Sequence, residues 1–177
     1  MPQRLRYFKY LDMTHMREIN GQPYGSWADI ERYAIHSVER QQGHEAIHIY
    51  SYVIGWPSDY FTEGIAEALD LDPYTGVEPG TPVHSICHTL LQQGNLHPIR
   101  NIVTTHEFRA ASGNTYAQAG SFVQFLIAEY GIEHLKTLFQ TTDEYDALAT
   151  VLEAFESIYG LPLEQAELRW HDFLRGS

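Results

Sequence analysis

The segment from Gly43 to Gly64 reads GHEAIHIYSYVIGWPSDYFTEG, and inside it His44-Glu45-Ala46-Ile47-His48 forms an H-E-x-x-H. On a helix, side chains four apart share a face and lie roughly 5–6 Å from one another. Two imidazoles so spaced can reach one zinc ion at about 2.0–2.1 Å. Glu45 directly follows the first imidazole, so it turns around the helix toward a water at the ion rather than toward the ion itself. That placement suits a general base. An open zinc site needs a third protein ligand. Phe61-Thr62-Glu63-Gly64-Ile65-Ala66-Glu67 offers Glu63, after a break at Gly55-Trp56-Pro57 that lets the chain double back. Gly64 permits close helix approach. Glu67 lies one turn beyond Glu63 and Asp70 two turns beyond, where either carboxylate could accept the free ring N–H of a ligand histidine and fix its tautomer. The plainer reading of Glu67 and Asp70 is an acidic, solvated face.

Other clusters are weaker. His84-Ser85-Ile86-Cys87-His88 spaces two imidazoles for a metal but lacks a third ligand and the glutamate. His106-Glu107-Phe108-Arg109-Ala110 opens like the zinc motif and has no second histidine, which leaves His106 as a general acid or donor at most. The single cysteine, Cys87, excludes an internal disulfide framework, a Cys-rich zinc module and c-type haem attachment. A formal charge of −12 argues against a surface that holds nucleic-acid phosphates. No apolar stretch is long enough to span a bilayer. Met1 to Tyr10 has basic residues without an apolar run after them, so it is no signal peptide; an extracytoplasmic location would require a signal already removed.

The 177 residues suit one domain, and 13% aromatic content supplies ample material for a core. Arg4 to Leu11 alternates and reads as a short strand, Ile19 to Ser26 as turn chemistry, and Glu31 to Val38 as a second strand. Helices follow over about 42–54 and from a cap at Ser58 or Asp59 to about Leu69. Residues 70–80 form a breaker-rich loop, and Thr81-Pro82 caps a helix that ends before Gly94. A short helix over 98–105 and four more over 115–130, 132–139, 144–159 and 162–174 complete the chain. The expected fold is α+β and predominantly helical: a small sheet region (1–40) packed on the candidate metal-binding helices (41–70), then a helical subdomain (81–177), in one unit.

H-E-A-I-H followed by E-G-I-A, with Glu63 fifteen residues beyond His48, resembles the gluzincin zinc peptidases, the superfamily of thermolysin and the aminopeptidase N-like enzymes. Tyr116-Ala117-Gln118-Ala119-Gly120-Ser121-Phe122-Val123 resembles the helix that follows the metal site in the aminopeptidase-like members. The resemblance implies His44, His48 and Glu63 as zinc ligands, Glu45 as base and proton shuttle, and Tyr116 as donor to the oxyanion. It implies a Zn2+-dependent metallopeptidase acting on a peptide or protein. The glycine-rich G-A-M-E-N strand of the aminopeptidases is absent before His44, and Tyr33 to Ser37 occupies the place of a substrate-pairing edge strand, with His36 a possible substrate contact. Two other functions fit the same residues: a non-catalytic binding module of this fold, and a zinc hydrolase of a non-peptide amide or ester.

Overall fold

The computed structural model describes residues 4–40, 42–70 and 82–176. Among them the chain forms three strands and nine α-helices, the helix-dominated α+β architecture expected. The strands are β1 (Arg6–Lys9), β2 (Ser26–Asp29) and β3 (Ala34–Ser37), with α1 (Met13–Asn20) between the first two. Asp12 caps α1 by accepting from the His15 N–H at 2.9 Å, and Gly21 ends it in the left-handed conformation that lacks a steric penalty only for glycine.

The sheet runs in the order β1-β3-β2. β1 lies parallel to β3, and β2 antiparallel, with Trp27 opposite His36 and Ala28 opposite Ile35. β3 is therefore central, which corrects the expectation that Tyr33 to Ser37 lines an open edge; the backbone groups of a central strand are taken on both sides. β1 and β2 are the edges instead. α1 and β2 both fall in residues read from sequence as turn or left unassigned, because four-residue strands and a polar eight-residue helix carry too little periodicity to stand out.

The helical part begins with α2 (Gly43–Tyr52) and α3 (Asp59–Leu69), then α4 (Val83–Gln93). A single 3-10 turn at Ile99–Asn101 precedes α5 (Thr105–Ala110), α6 (Thr115–Tyr130), α7 (Ile132–Thr141), α8 (Leu148–Tyr159) and α9 (Leu163–Gly176). The Thr81 cap and the loop over 71–80 lie outside the described residues. α8 starts four residues later than the sequence suggests, because Asp146 accepts from the Asp143 N–H and holds a turn there. The core is built around α3 and α6, with Tyr60, Phe61, Phe122, Phe125, Phe155 and Trp170 fully enclosed. α2 packs on α3 on one side and on β2 and β3 on the other, so the sheet lies against the histidine-bearing helix.

Candidate metal centre

α2 and α3 make a hairpin whose turn is fixed by backbone contact. Ile54 and Gly55 both donate to Ser51 O at the end of α2, and Gly55 lies so close to the Phe139 carbonyl that any side chain there would overlap it. α3 then starts at Ser58, whose hydroxyl donates to Val103 O at 2.6 Å rather than capping its own helix. Every residue of α3 from Asp59 to Ala68 is buried except Glu63, which is partly open at the face turned to α2.

That geometry brings three lone-pair atoms together. His44 Nε2 lies 3.1 Å from Glu63 Oε2, His48 Nε2 lies 3.4 Å from the same oxygen, and the two Nε2 atoms are 3.1 Å apart. Tetrahedral ligands at about 2.0–2.1 Å from a zinc ion stand roughly 3.3 Å from each other. One shared proton can satisfy only one of these three contacts, whereas a cation at their centre satisfies all three. The donor set and its spacing therefore fit a divalent metal ion, and this is the one such group among the described residues.

The surrounding charges follow from the same packing. Burial pulls the His44 imidazole down, but the carboxylates of Glu63 and Glu67 outweigh it and hold the pKa well above the ordinary range. Burial pushes Glu63 up, and the two imidazoles overcome that and hold it well below the usual carboxylate range. Glu67 is completely enclosed, its Oε1 3.2 Å from His44 Nδ1, at ion-pair distance though not aligned as a hydrogen bond. Glu67 thus lies beside His44 and not on a solvated face. The Asp70 carboxylate sits over the first turn of α2, where a Cβ on Gly43 would run into Oδ1. A negative group there complements the amino end of the helix.

No family model, curated protein or solved structure matches this chain. The chemistry of the site has to be read from its own geometry. The Ala28 amide of β2 is near enough to the Glu45 carboxylate to favour its charged form. Burial, opposed by His48 and His44, raises its pKa above that of a free glutamate. Val38 N donates to Gly25 O, so the alternation of an antiparallel ladder turns Trp27 and Asp29 toward β3 and leaves Ser26 and Ala28 on the open edge above Glu45.

Tyr116, on the first turn of α6, is 39% exposed, and its ring packs 5.2 Å from Phe108. Burial and the carboxylates of Glu63, Asp59 and Glu67 push its phenol up to about 12, which keeps it a hydrogen-bond donor through the neutral range. A second group near the site was not foreseen. Asp59 pairs with Arg109 of α5, and Arg109 also reaches Glu144 at 2.9 Å. The signal for α5 was present in Thr104-x-x-Glu107, a capping box whose Thr104 hydroxyl donates to Glu107 Oε2 at 2.7 Å.

His84 and His88 do not converge. His84 Nδ1 pairs with Ser121 Oγ at 2.7 Å, while His88 is solvent-facing beside Gln92. His106 is exposed on α5.

Proposed function

We propose that the chain is a zinc-dependent hydrolase of peptide bonds, of gluzincin type. The observation that carries this reading is the convergence of His44 Nε2, His48 Nε2 and Glu63 Oε2 from two helices on one point, with Glu45 near enough to feel the charge of all three. His44, His48 and Glu63 would hold the ion. When bound, such an ion polarises a carbonyl and makes a nearby water far more acidic.

The chain's own groups supply the rest. Glu45 takes the proton of the attacking water and delivers it to the leaving amine. Its raised pKa brings it closer to neutrality, where a carboxylate can both accept and return a proton. The Tyr116 hydroxyl, held protonated, donates to the oxygen that gains negative charge as the carbonyl is attacked. The open edge of β2 offers the backbone groups of Ser26 and the Ala28 carbonyl to an extended peptide, which would lie along the strand with its scissile bond beside Glu45. Glu67 holds His44 in orientation.

Elemental analysis of the purified protein, followed by a fluorogenic peptide library, tests the reading. Wild type should carry about one zinc per chain and cleave. Glu45→Gln should keep the zinc and lose roughly 10²–10⁴-fold in rate. Equal cleavage by that variant would overturn the role of Glu45, and a zinc-loaded wild type inert toward peptides would overturn the substrate class.

A further inference from the structure

The sheet carries a second recess that the metal centre does not use. It has a volume of about 310 Å³ and is lined by the three strands and the end of α1, with nothing from α2. Phe8, His36 and Trp27 are cross-strand neighbours, and their side chains share one face of the sheet. Their rings form a ladder, with centroids 4.8 and 4.7 Å apart and planes within 16° and 14° of parallel. Arg6 stands over the outer Phe8 ring, 5.9 Å from its centroid.

Beside this ladder, Asn20, His36 and Trp27 each present a donor. Gln22 N–H donates to Asn20 Oδ1 at 3.0 Å, so the Asn20 amide nitrogen is the atom that reaches Tyr10 Oη at 3.3 Å. The phenol's own proton then has His36 Nδ1 as its acceptor among the described residues, at 2.7 Å. A neutral His36 consequently carries its ring proton on Nε2. Burial outweighs the pull of Asp29 and keeps His36 below the usual imidazole range, hence neutral at pH 7. Trp27 Nε1–H is enclosed and has no acceptor among the described residues.

Charge points the same way. Asp29, 6% exposed, is already matched by Arg32, whose guanidinium sits 2.9 Å from Oδ2 and whose amide donates to Oδ1 at 3.1 Å. Arg6 remains, held in place by a bond to Arg32 O at 2.6 Å. The recess thus holds two guanidiniums against one carboxylate in a chain of formal charge −12. Residues 1–40 contain six basic and five acidic side chains, whereas 41–177 contain five and eighteen. A monoanion is repelled by most of this molecule and attracted at this point.

We propose that the recess binds a small organic monoanion, a carboxylate carried on an apolar or planar body. Arg6 and His36 Nε2–H take its oxygens, and the ring ladder contacts the body. A cavity of this size matches the lower end of ordinary small-molecule sites. The site is separate from the metal centre, and its occupancy does not depend on the proposed hydrolysis.

Calorimetric titration with benzoate tests this, run on zinc-loaded and zinc-stripped protein, with benzylamine as the isosteric cation. The expected result is saturable benzoate binding of equal strength in both forms, no benzylamine binding, and roughly tenfold weaker benzoate binding in Arg6→Gln, the loss of one charge-assisted hydrogen bond. Trp27→Phe keeps a ring in the ladder and serves as the second variant; it should retain the preference for benzoate over benzylamine. Circular dichroism identical to wild type shows that both variants fold. The proposal is overturned if benzoate binding fails to saturate, if it disappears on zinc removal, if Arg6→Gln binds as tightly as wild type, or if benzylamine binds equally well.

Discussion

The roles proposed for Tyr116 and Glu67 differ, and single substitutions separate them. Tyr116→Phe keeps the ring against Phe108 and removes only the hydroxyl. If the phenol serves the oxyanion, kcat falls by roughly 10²-fold with little change in KM, as expected for a donor used mainly in the transition state. Glu67 touches no substrate in this scheme. Glu67→Gln should instead weaken zinc affinity by about 10–100-fold, since its carboxylate orients His44. A competition assay with a chromogenic chelator measures that directly. Arg109 provides the pH test. Burial raises the Asp59 carboxyl above its usual range even with Arg109 beside it. Arg109→Leu leaves that carboxylate unpaired, at a cost of about 1–2 kcal/mol. The cost falls on the charged form, so it should be full at pH 8 and shrink toward pH 4 as Asp59 takes its proton. Denaturant melts of wild type and variant at the two pH values give the comparison.

At the scale of elements, the ligands depend on how closely α3 and α6 approach. Gly64 of α3 faces Ala119 O, where a Cβ would sit 3.0 Å away, and Gly120 of α6 faces Glu67, whose Cβ would lie 2.6 Å from a new one. Gly120→Ala should therefore push α3 off α6, displace Glu67 and loosen zinc by an amount comparable to Glu67→Gln, while Gly176→Ala, with open space around it and no left-handed backbone, leaves zinc affinity unchanged. Chelator competition on both variants checks the contrast. The sequence foretold Gly64 as a close-approach residue but not Gly120, because that role exists only once two helices distant in the chain are known to cross. The same distinction explains what else was legible. His44, His48 and Glu63 were readable because two share one helical turn and the third follows a marked break. α6, α7 and α9 were readable from long apolar periodicity and the glycines that end or divide them. α1, β2 and the central position of β3 were not, since sheet order depends on pairing between segments that carry no local signature. The Asp59–Arg109–Glu144 group joins three elements far apart in sequence, and no spacing rule reaches across them.

For the whole molecule, bound metal should also act as a fold stabiliser, because the site is assembled only in the native state. Zinc at about 100 times its dissociation constant adds roughly 2.7 kcal/mol, enough to raise the thermal midpoint by about 5–10 °C. The ion needs a neutral His44, and that imidazole holds its proton more tightly than a free one. Protons therefore compete increasingly as pH falls, and the midpoint gained from zinc should be larger at pH 8 than at pH 5. Differential scanning fluorimetry with and without chelator at both pH values measures this. No helix among the described residues is long and apolar enough to cross a membrane. The turn of the α2–α3 hairpin has a wider effect. Gly55 rests directly on the Phe139 carbonyl, which makes α7 the seat against which both ligand-bearing helices are braced. If the centre captures an ion as proposed, that capture gauges whether the carboxy-terminal helices are in place: a nick at the Gly131 joint would be felt as slackened grip on zinc, well before the centre itself was touched.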